Sequence, residues 1–186
     1  MASTAAAFAQ ARPLATPAVD RELFRDGEVQ RLDQTFAGWQ MVCDDIRRLH
    51  QRFCSMRARA FDGRGNPVAD FVISTSDSGA PAALVTLAHG VVLSEPVLMA
   101  LAVPGKAPQP VAKLGPAVCL PDGCKIVWTL GPATINALRA GVDVAINFKS
   151  ARTPAFFPGP RAPARVEVNG RLAGQGFAEA LQASLK

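Results

Sequence analysis

From Gly38 onward the chain alternates apolar and polar positions. In "WQMVCDD", Trp39, Met41 and Cys43 share one face of an extended segment by period-two spacing. In "RFCSMRARA", Cys54, Met56, Ala58 and Ala60 share a face, while Ser55, Arg57 and Arg59 take the other. The segments "VADFVIST", "PAALVTLA", "PVLMALAV", "AKLGPAVC", "CKIVWTL", "VDVAINF" and "RVEVNG" predict further strands. In "CKIVWTL", Ile126, Trp128 and Leu130 are expected inside, with Lys125, Val127 and Thr129 outside. In "VDVAINF", Val142, Val144, Ile146 and Phe148 are expected inside. Helical spacing is confined to "ATINALRAG", with Thr134 as the expected N-cap and Gly141 as the stop, and to the closing "GFAEALQASL". Eight or nine short strands with turn signals between them predict an all-β fold, an antiparallel β-sandwich with one or two short helices. A βαβ architecture would need a long helix between strands.

The stretch "CLPDGC" adds turn chemistry: Pro121 presets φ, Asp122 tolerates turn geometry and Gly123 accepts positive φ. Flanking strands would then set Cys119 opposite Cys124. Facing residues in a non-hydrogen-bonded antiparallel pair have Cα atoms roughly 4.5–5.5 Å apart, which suits a disulfide. Cys43 and Cys54 form a second local pair, both on apolar strand faces. The rival reading is a metal site holding all four cysteines. The spacings are C-x10-C and C-x4-C rather than two tight C-x2-C-like knuckles, which favours two disulfides and an oxidising compartment. Neither His50 nor His89 lies in a ligand pattern.

Composition divides the chain into an arm, residues 1–36, and a β-sandwich domain, residues 37–186. The arm begins Ala- and Pro-rich and ends charged, with a short helix expected near residues 19–30. "MASTAAAFAQARP" resembles the end of a secretory signal, with "AFA" fitting a small-x-small cleavage site, although a basic n-region and a long apolar h-region are missing. The arm is a candidate partner-binding element; a plain linker is the alternative. The most apolar region, Ala80 to Gly105, is interrupted by His89, Gly90, Glu95 and Pro96, so no transmembrane span is expected. Peripheral membrane association stays open. Hydrophobic residues make up 49% and charged residues 19%, a globular balance. Of the +5 net charge, the arm carries −1 and the domain +6, so the basic character belongs to the domain.

Five motifs in order, "GWQMVCDD", Cys54, "CLPDGC", "INALRAGVDVAINF" and "GFAEAL", resemble the invasion-associated locus B family over roughly residues 37–183. Those are exported bacterial proteins, mostly from alphaproteobacteria. The resemblance implies an immunoglobulin-like β-sandwich with two local disulfides and a periplasmic or cell-surface location. For pathogenic members it implies a link to host-cell invasion, without a biochemical mechanism and without catalytic residues to carry over. The long arm and the Pro-rich "FFPGPRAPAR" loop depart from the family's usual pattern and point to a partner peculiar to this protein.

Catalytic signals are sparse. The chain has no Tyr, two His, and no G-x-S-x-G, H-E-x-x-H, P-loop or G-x-G-x-x-G pattern. Asp44 and Asp45 are adjacent on a strand and point to opposite faces. No catalytic residue, metal or cofactor is assigned. The strongest positive signal is arginine: Arg57 and Arg59, with Arg52 nearby, offer guanidinium forks for carboxylates or phosphates, against the plainer reading of a solvated face that blunts sheet pairing. The second signal is Phe156 and Phe157, between Pro154 and Pro158, either a core plug or an exposed anchor for another protein. Nucleic acid is disfavoured, because aromatics make up 6% of the chain and no Tyr offers a stacking face.

These observations favour a non-catalytic exported protein that docks onto another envelope protein or enzyme complex through the arm, the arginine face or the Phe-Phe loop. One form is a small subunit of a membrane-anchored periplasmic enzyme complex; another is a surface factor that touches host cells. The competing expectation is a small hydrolase or ligand-binding enzyme in a β-sandwich, which needs His89 or His50 gathered with a carboxylate and a Ser.

Overall fold

Alternating segments this short bury one face only by packing sheet on sheet. The computed structural model of the chain describes residues 27–75, 81–115, 117–151 and 165–185. These hold strands β1 (Val29–Phe36), β2 (Trp39–Ile46), β3 (Gln51–Phe61), β4 (Pro67–Thr75), β5 (Ala82–Leu87) and β6 (Val97–Ala102). There follow β7 (Gln109–Leu114), β8 (Val118–Leu120), β9 (Gly123–Thr129), helix α1 (Pro132–Arg139), β10 (Asp143–Ser150), β11 (Val166–Leu172) and helix α2 (Phe177–Ser184).

All the strand pairings are antiparallel, and the fold is all-β and sandwich-like, with two short helices. β3 is the seam. One of its edges pairs with β4 from Cys54 to Phe61. Its other edge is shared: β2 takes Gln51 to Arg57, and β11 takes Phe61 through Arg171. Two arms therefore meet at β3: the first joins β2-β1 on one edge to β4-β5-β9-β8 on the other, and the second runs β11-β10-β6-β7. β7, at the far end of the second arm, comes back against β9.

The inner faces share one core. Trp39, Met41, Met56, Phe71, Ile73 and Trp128 come from the first arm; Met99, Val144, Ile146 and Phe148 come from the second. Each large apolar side chain buried this way contributes about 1.5–3 kcal/mol. Helix α2 lies on β1, β2 and β3, and α1 touches α2 and β10. The inside positions expected for β2, β3, β9 and β10 are buried, apart from Val142, which is partly exposed ahead of β10.

The structure differs from the sequence expectation at three places. Residues 29–36, assigned to the arm, form β1, an edge strand whose inner face offers only Leu32 and Phe36 to the core, too few to produce a strong alternation. "AKLGPAVC" is two strands rather than one: β7 pairs with β6, and the three-residue β8 pairs with β9. Helix α1 is capped by Gly131 with Pro132 in its first turn, and Thr134 is buried inside the helix rather than capping it. Proline's fixed φ suits a helix start. Of the helix expected near residues 19–30, residues 19–26 lie outside the described residues, Gly27 and Glu28 form a turn, and Val29 and Gln30 open β1.

Candidate functional site

The three arginines singled out in the sequence are not one surface. Arg57 and Arg59 stand on the outward face of β3, as alternation requires, but Arg57 is only 1% exposed. Burial, with Arg31 nearby, lowers its pKa from the ordinary arginine value, and Asp33 and Asp44 oppose that shift. Arg59 is held by its cross-strand partner Asp70, Nε to Oδ1 at 2.6 Å. Arg52 faces the other side of β3, where its cross-strand partner Asp45 lies 3.2 Å away. Arg52 lines a small cavity between β1 and α2 with Leu32, Phe36 and Glu179. Of the two outward arginines of this strand, Arg57 is thus buried and Arg59 engaged by a carboxylate. Phe156, Phe157 and the arm before Gly27 lie outside the described residues.

Cys43 is bonded to Cys54, and Cys119 to Cys124, each pair in register across its strands. The four sulfurs do not converge. Cys124 stands beside Leu87, whose row across the sheet runs through Ala69 to Ala60, six residues along β3 from Cys54, which is roughly 20 Å at ~3.3 Å per residue. The histidines are also far apart. His50 precedes the start of β3, while His89 follows β5 at the opposite end of the strands, about 30 Å away by the same rise. His89 Nε2 is hydrogen-bonded to the Pro121 carbonyl at 3.0 Å. His89 also lies near the Asp122 carboxylate, and the described residues hold no group of three His, Cys, Asp or Glu side chains placed for a metal ion. No helix among them is long and apolar enough to cross a membrane.

The concavity that stands out is elsewhere. The outward face of β7, β6, β10 and β11 forms an open groove of about 1010 Å³. The sheet register builds it from two adjacent rows. One runs Lys113, Leu98, Asn147, Asn169 from β7 to β11. The next runs Pro110, Ala100, Ala145, Arg171 and ends on Phe61 of β3. Leu98 and Phe61 are 45% and 43% exposed, two large apolar side chains open to solvent in one trough. Asn147 donates through Nδ2 to Glu167 and to Asn169 Oδ1, which fixes a ladder of amides on the floor. Asp62, on the turn after β3, forms part of the wall. Its carboxylate accepts the backbone N–H groups of Arg64 and Asn66 and the Asn66 side chain. Those hydrogen bonds, the Asn66 side chain foremost, hold its pKa below the ordinary aspartate range.

Sequence reasoning missed this groove, although a signal was present. "PVLMALAV" is apolar on both faces, so Leu98, Ala100 and Ala102 are apolar where a sandwich strand ordinarily shows polar side chains to water. Such a strand face is either covered or used.

Comparison with known proteins adds the following. The family model for the Invasion associated locus B (IalB) protein matches residues 39–185. The crystal structure of invasion associated protein B from Bartonella henselae is similar with a TM-score of 0.62 and 22% sequence identity, covering 83% of this chain and 95% of that one. At that identity the likeness is one of fold. No curated protein matches the sequence.

Proposed function

Because the chain belongs to the invasion associated locus B family, we propose that it is a non-catalytic, exported accessory protein that docks onto another protein of the bacterial envelope. The observation that carries this reading is the groove: an apolar trough with exposed Leu98 and Phe61, floored by strands. Two disulfides support an extracytoplasmic location, because such bonds persist in oxidising compartments. The separation of His50 and His89, at opposite ends of the strands, supports a binding role over a hydrolytic one that would use both, since general acid–base work needs partners within hydrogen-bond reach. One form of this docking is a small subunit of a membrane-anchored periplasmic enzyme complex, whose larger partner would cover the exposed Leu98 and Phe61. The name of the Bartonella neighbour favours a second form, a surface factor that contacts host cells.

Purification from the native envelope under mild conditions, with the companions identified by mass spectrometry, tests the reading. A companion at constant stoichiometry in the periplasmic or membrane fraction is expected. A lone monomer in that fraction would overturn stable docking and leave the surface-factor form. Recovery from the cytosol with four free thiols would overturn export.

A further inference from the structure

The groove's dimensions and charges select an occupant. Five strands contribute to its longer row, from Pro110 to Phe61. At about 4.8 Å between neighbouring strands the row is roughly 19 Å long, and the two rows lie roughly 7 Å apart, two residues along a strand. A trough of that size accepts about six residues of extended chain at ~3.3 Å each, lying across the strands. Ala100 and Ala145 sit side by side at its middle, small enough for a backbone to approach closely. Leu98 and Phe61 flank them as apolar contacts, and the Asn147–Asn169 ladder supplies amides that match peptide groups.

Charge fixes the rest. Asp62, the one carboxylate among the described residues lining the groove, is occupied by its own turn, and Glu167 beside the floor accepts from Asn147. Lys113 makes no ion pair among the described residues and ends one row. Arg171, in the other row, is 66% exposed and lies 3.7 Å from Asp143, which also accepts the Gly174 N–H. The groove is therefore apolar in its middle and cationic at two separated points.

We propose that this groove binds an extended segment of about six residues from a partner protein, carrying large apolar side chains and at least one carboxylate that meets Lys113 or Arg171. The segment crosses the strands, so side-chain contacts rather than added-strand hydrogen bonds give it register. An acyl chain fits less well, because the trough is open and floored partly by amides. A sugar fits less well, because Phe61 is the single aromatic side chain lining the groove among the described residues. The inference rests on the docking function proposed above and names the chemistry of its site.

Random hexapeptides displayed on phage, selected on the full chain and then synthesised for titration, test it. Enrichment of sequences with two or more large apolar residues and an Asp or Glu is expected. Leu98→Lys should weaken their binding tenfold or more. The double variant Lys113→Glu/Arg171→Glu should shift selection toward Lys- or Arg-containing peptides. Val127→Lys, on the outward face of β9, should leave affinity unchanged and controls for folding together with near-UV circular dichroism. Absence of any enriched peptide, or peptides indifferent to Leu98→Lys and to charge reversal, would overturn the proposal. So would saturable binding of phosphatidylglycerol vesicles or of an arrayed glycan that Leu98→Lys abolishes. A native companion that survives Leu98→Lys would leave the docking function standing while removing it from this groove.

Discussion

Trp39 and Phe177 meet edge to face, their ring centroids 5.0 Å apart and their planes at 70°. The indole Nε1 donates to the Ala173 carbonyl at 2.9 Å, so the one polar atom of a fully buried Trp39 is satisfied. This contact ties the start of β2 to α2 at the far end of the chain and closes the core. Phe177→Ala should cost about 3–5 kcal/mol in chemical denaturation, the usual range for emptying a buried aromatic site. It should also weaken the near-UV signal of Trp39. A variant as stable as the parent would show that α2 is not part of the cooperative unit.

Gly176, just before α2, has φ +88°, and a Cβ there would overlap the Phe36 carbonyl at the end of β1. Backbone cannot move aside as a side chain tip can. Gly176→Ala should therefore destabilise by at least about 1–3 kcal/mol, the cost of a strained φ alone, and a thermal midpoint within a degree of the parent's would contradict the placement of α2 against β1.

Arg31 and Asp44 face each other across β1 and β2 and share two bonds of 2.7 Å, Nε to Oδ1 and Nη2 to Oδ2. Asp44 is buried, so removing Arg31 takes both of these hydrogen bonds from a carboxylate that lies out of water. Arg31→Met should cost about 1.5–3 kcal/mol, more than an exposed ion pair gives. In Arg31→Met/Asp44→Leu the loss should be smaller than the sum of the two single losses. Strict additivity in that cycle would mean that the pair is not coupled.

How much of this was readable in advance follows from the kind of burial. Trp39, Met41, Cys43 and the inward residues of β3, β9 and β10 announce themselves, because one face is dry and the other wet. β1 did not: as an edge strand carrying Arg31 and Asp33 outward, it resembles a charged tail until its partners in β2 are known. The burial of Arg57 was also hidden, since outward parity ordinarily means water. The groove was hidden for a further reason. Its rows run across the strands, joining Lys113 to Asn169 and Pro110 to Phe61, and that register belongs to the topology, not to any local stretch. Leu98 was the local sign, an apolar side chain on the wrong parity.

Two carboxylates give a pH signature. Hydrogen bonds from Asn66 hold Asp62, and a hydrogen bond from Lys125 holds Asp122, below the ordinary aspartate value of 3.8. A folded pKa depressed in this way contributes stability that is complete above the unfolded value and is lost as pH falls through the folded one. Both turns should therefore hold down to pH 3.8 and loosen only in stronger acid. Carboxyl carbon NMR should place both midpoints under that value. Asn66→Ala should return Asp62 toward it without moving Asp122, and Lys125→Ala the reverse. A midpoint at or above the ordinary value in the parent would refute the hydrogen bonding at that turn.

The two disulfides should differ in reactivity. Exchange requires a thiolate to reach a sulfur along the bond axis. Cys119 is exposed on the three-residue β8, whereas Cys124, Cys43 and Cys54 are buried. Attack is thus directed to the Cys119 sulfur: the S–S bond breaks, a mixed disulfide forms at Cys119, and Cys124 leaves as a thiolate that takes a proton. A second thiol of the reductant then releases Cys119 and completes the two-electron reduction. Under limiting dithiothreitol in native buffer, followed by alkylation and peptide mapping, Cys119 and Cys124 should be labelled at least tenfold faster than Cys43 and Cys54. In denaturant the two pairs should react alike. Opening the hairpin bond removes a short loop constraint of roughly 2–3 kcal/mol, so the singly reduced protein should stay folded with a lower melting temperature. Equal labelling of both pairs under native conditions would mean that β2 and β3 open as readily as the hairpin tip, and Cys43–Cys54 could then no longer be the buried staple of the core.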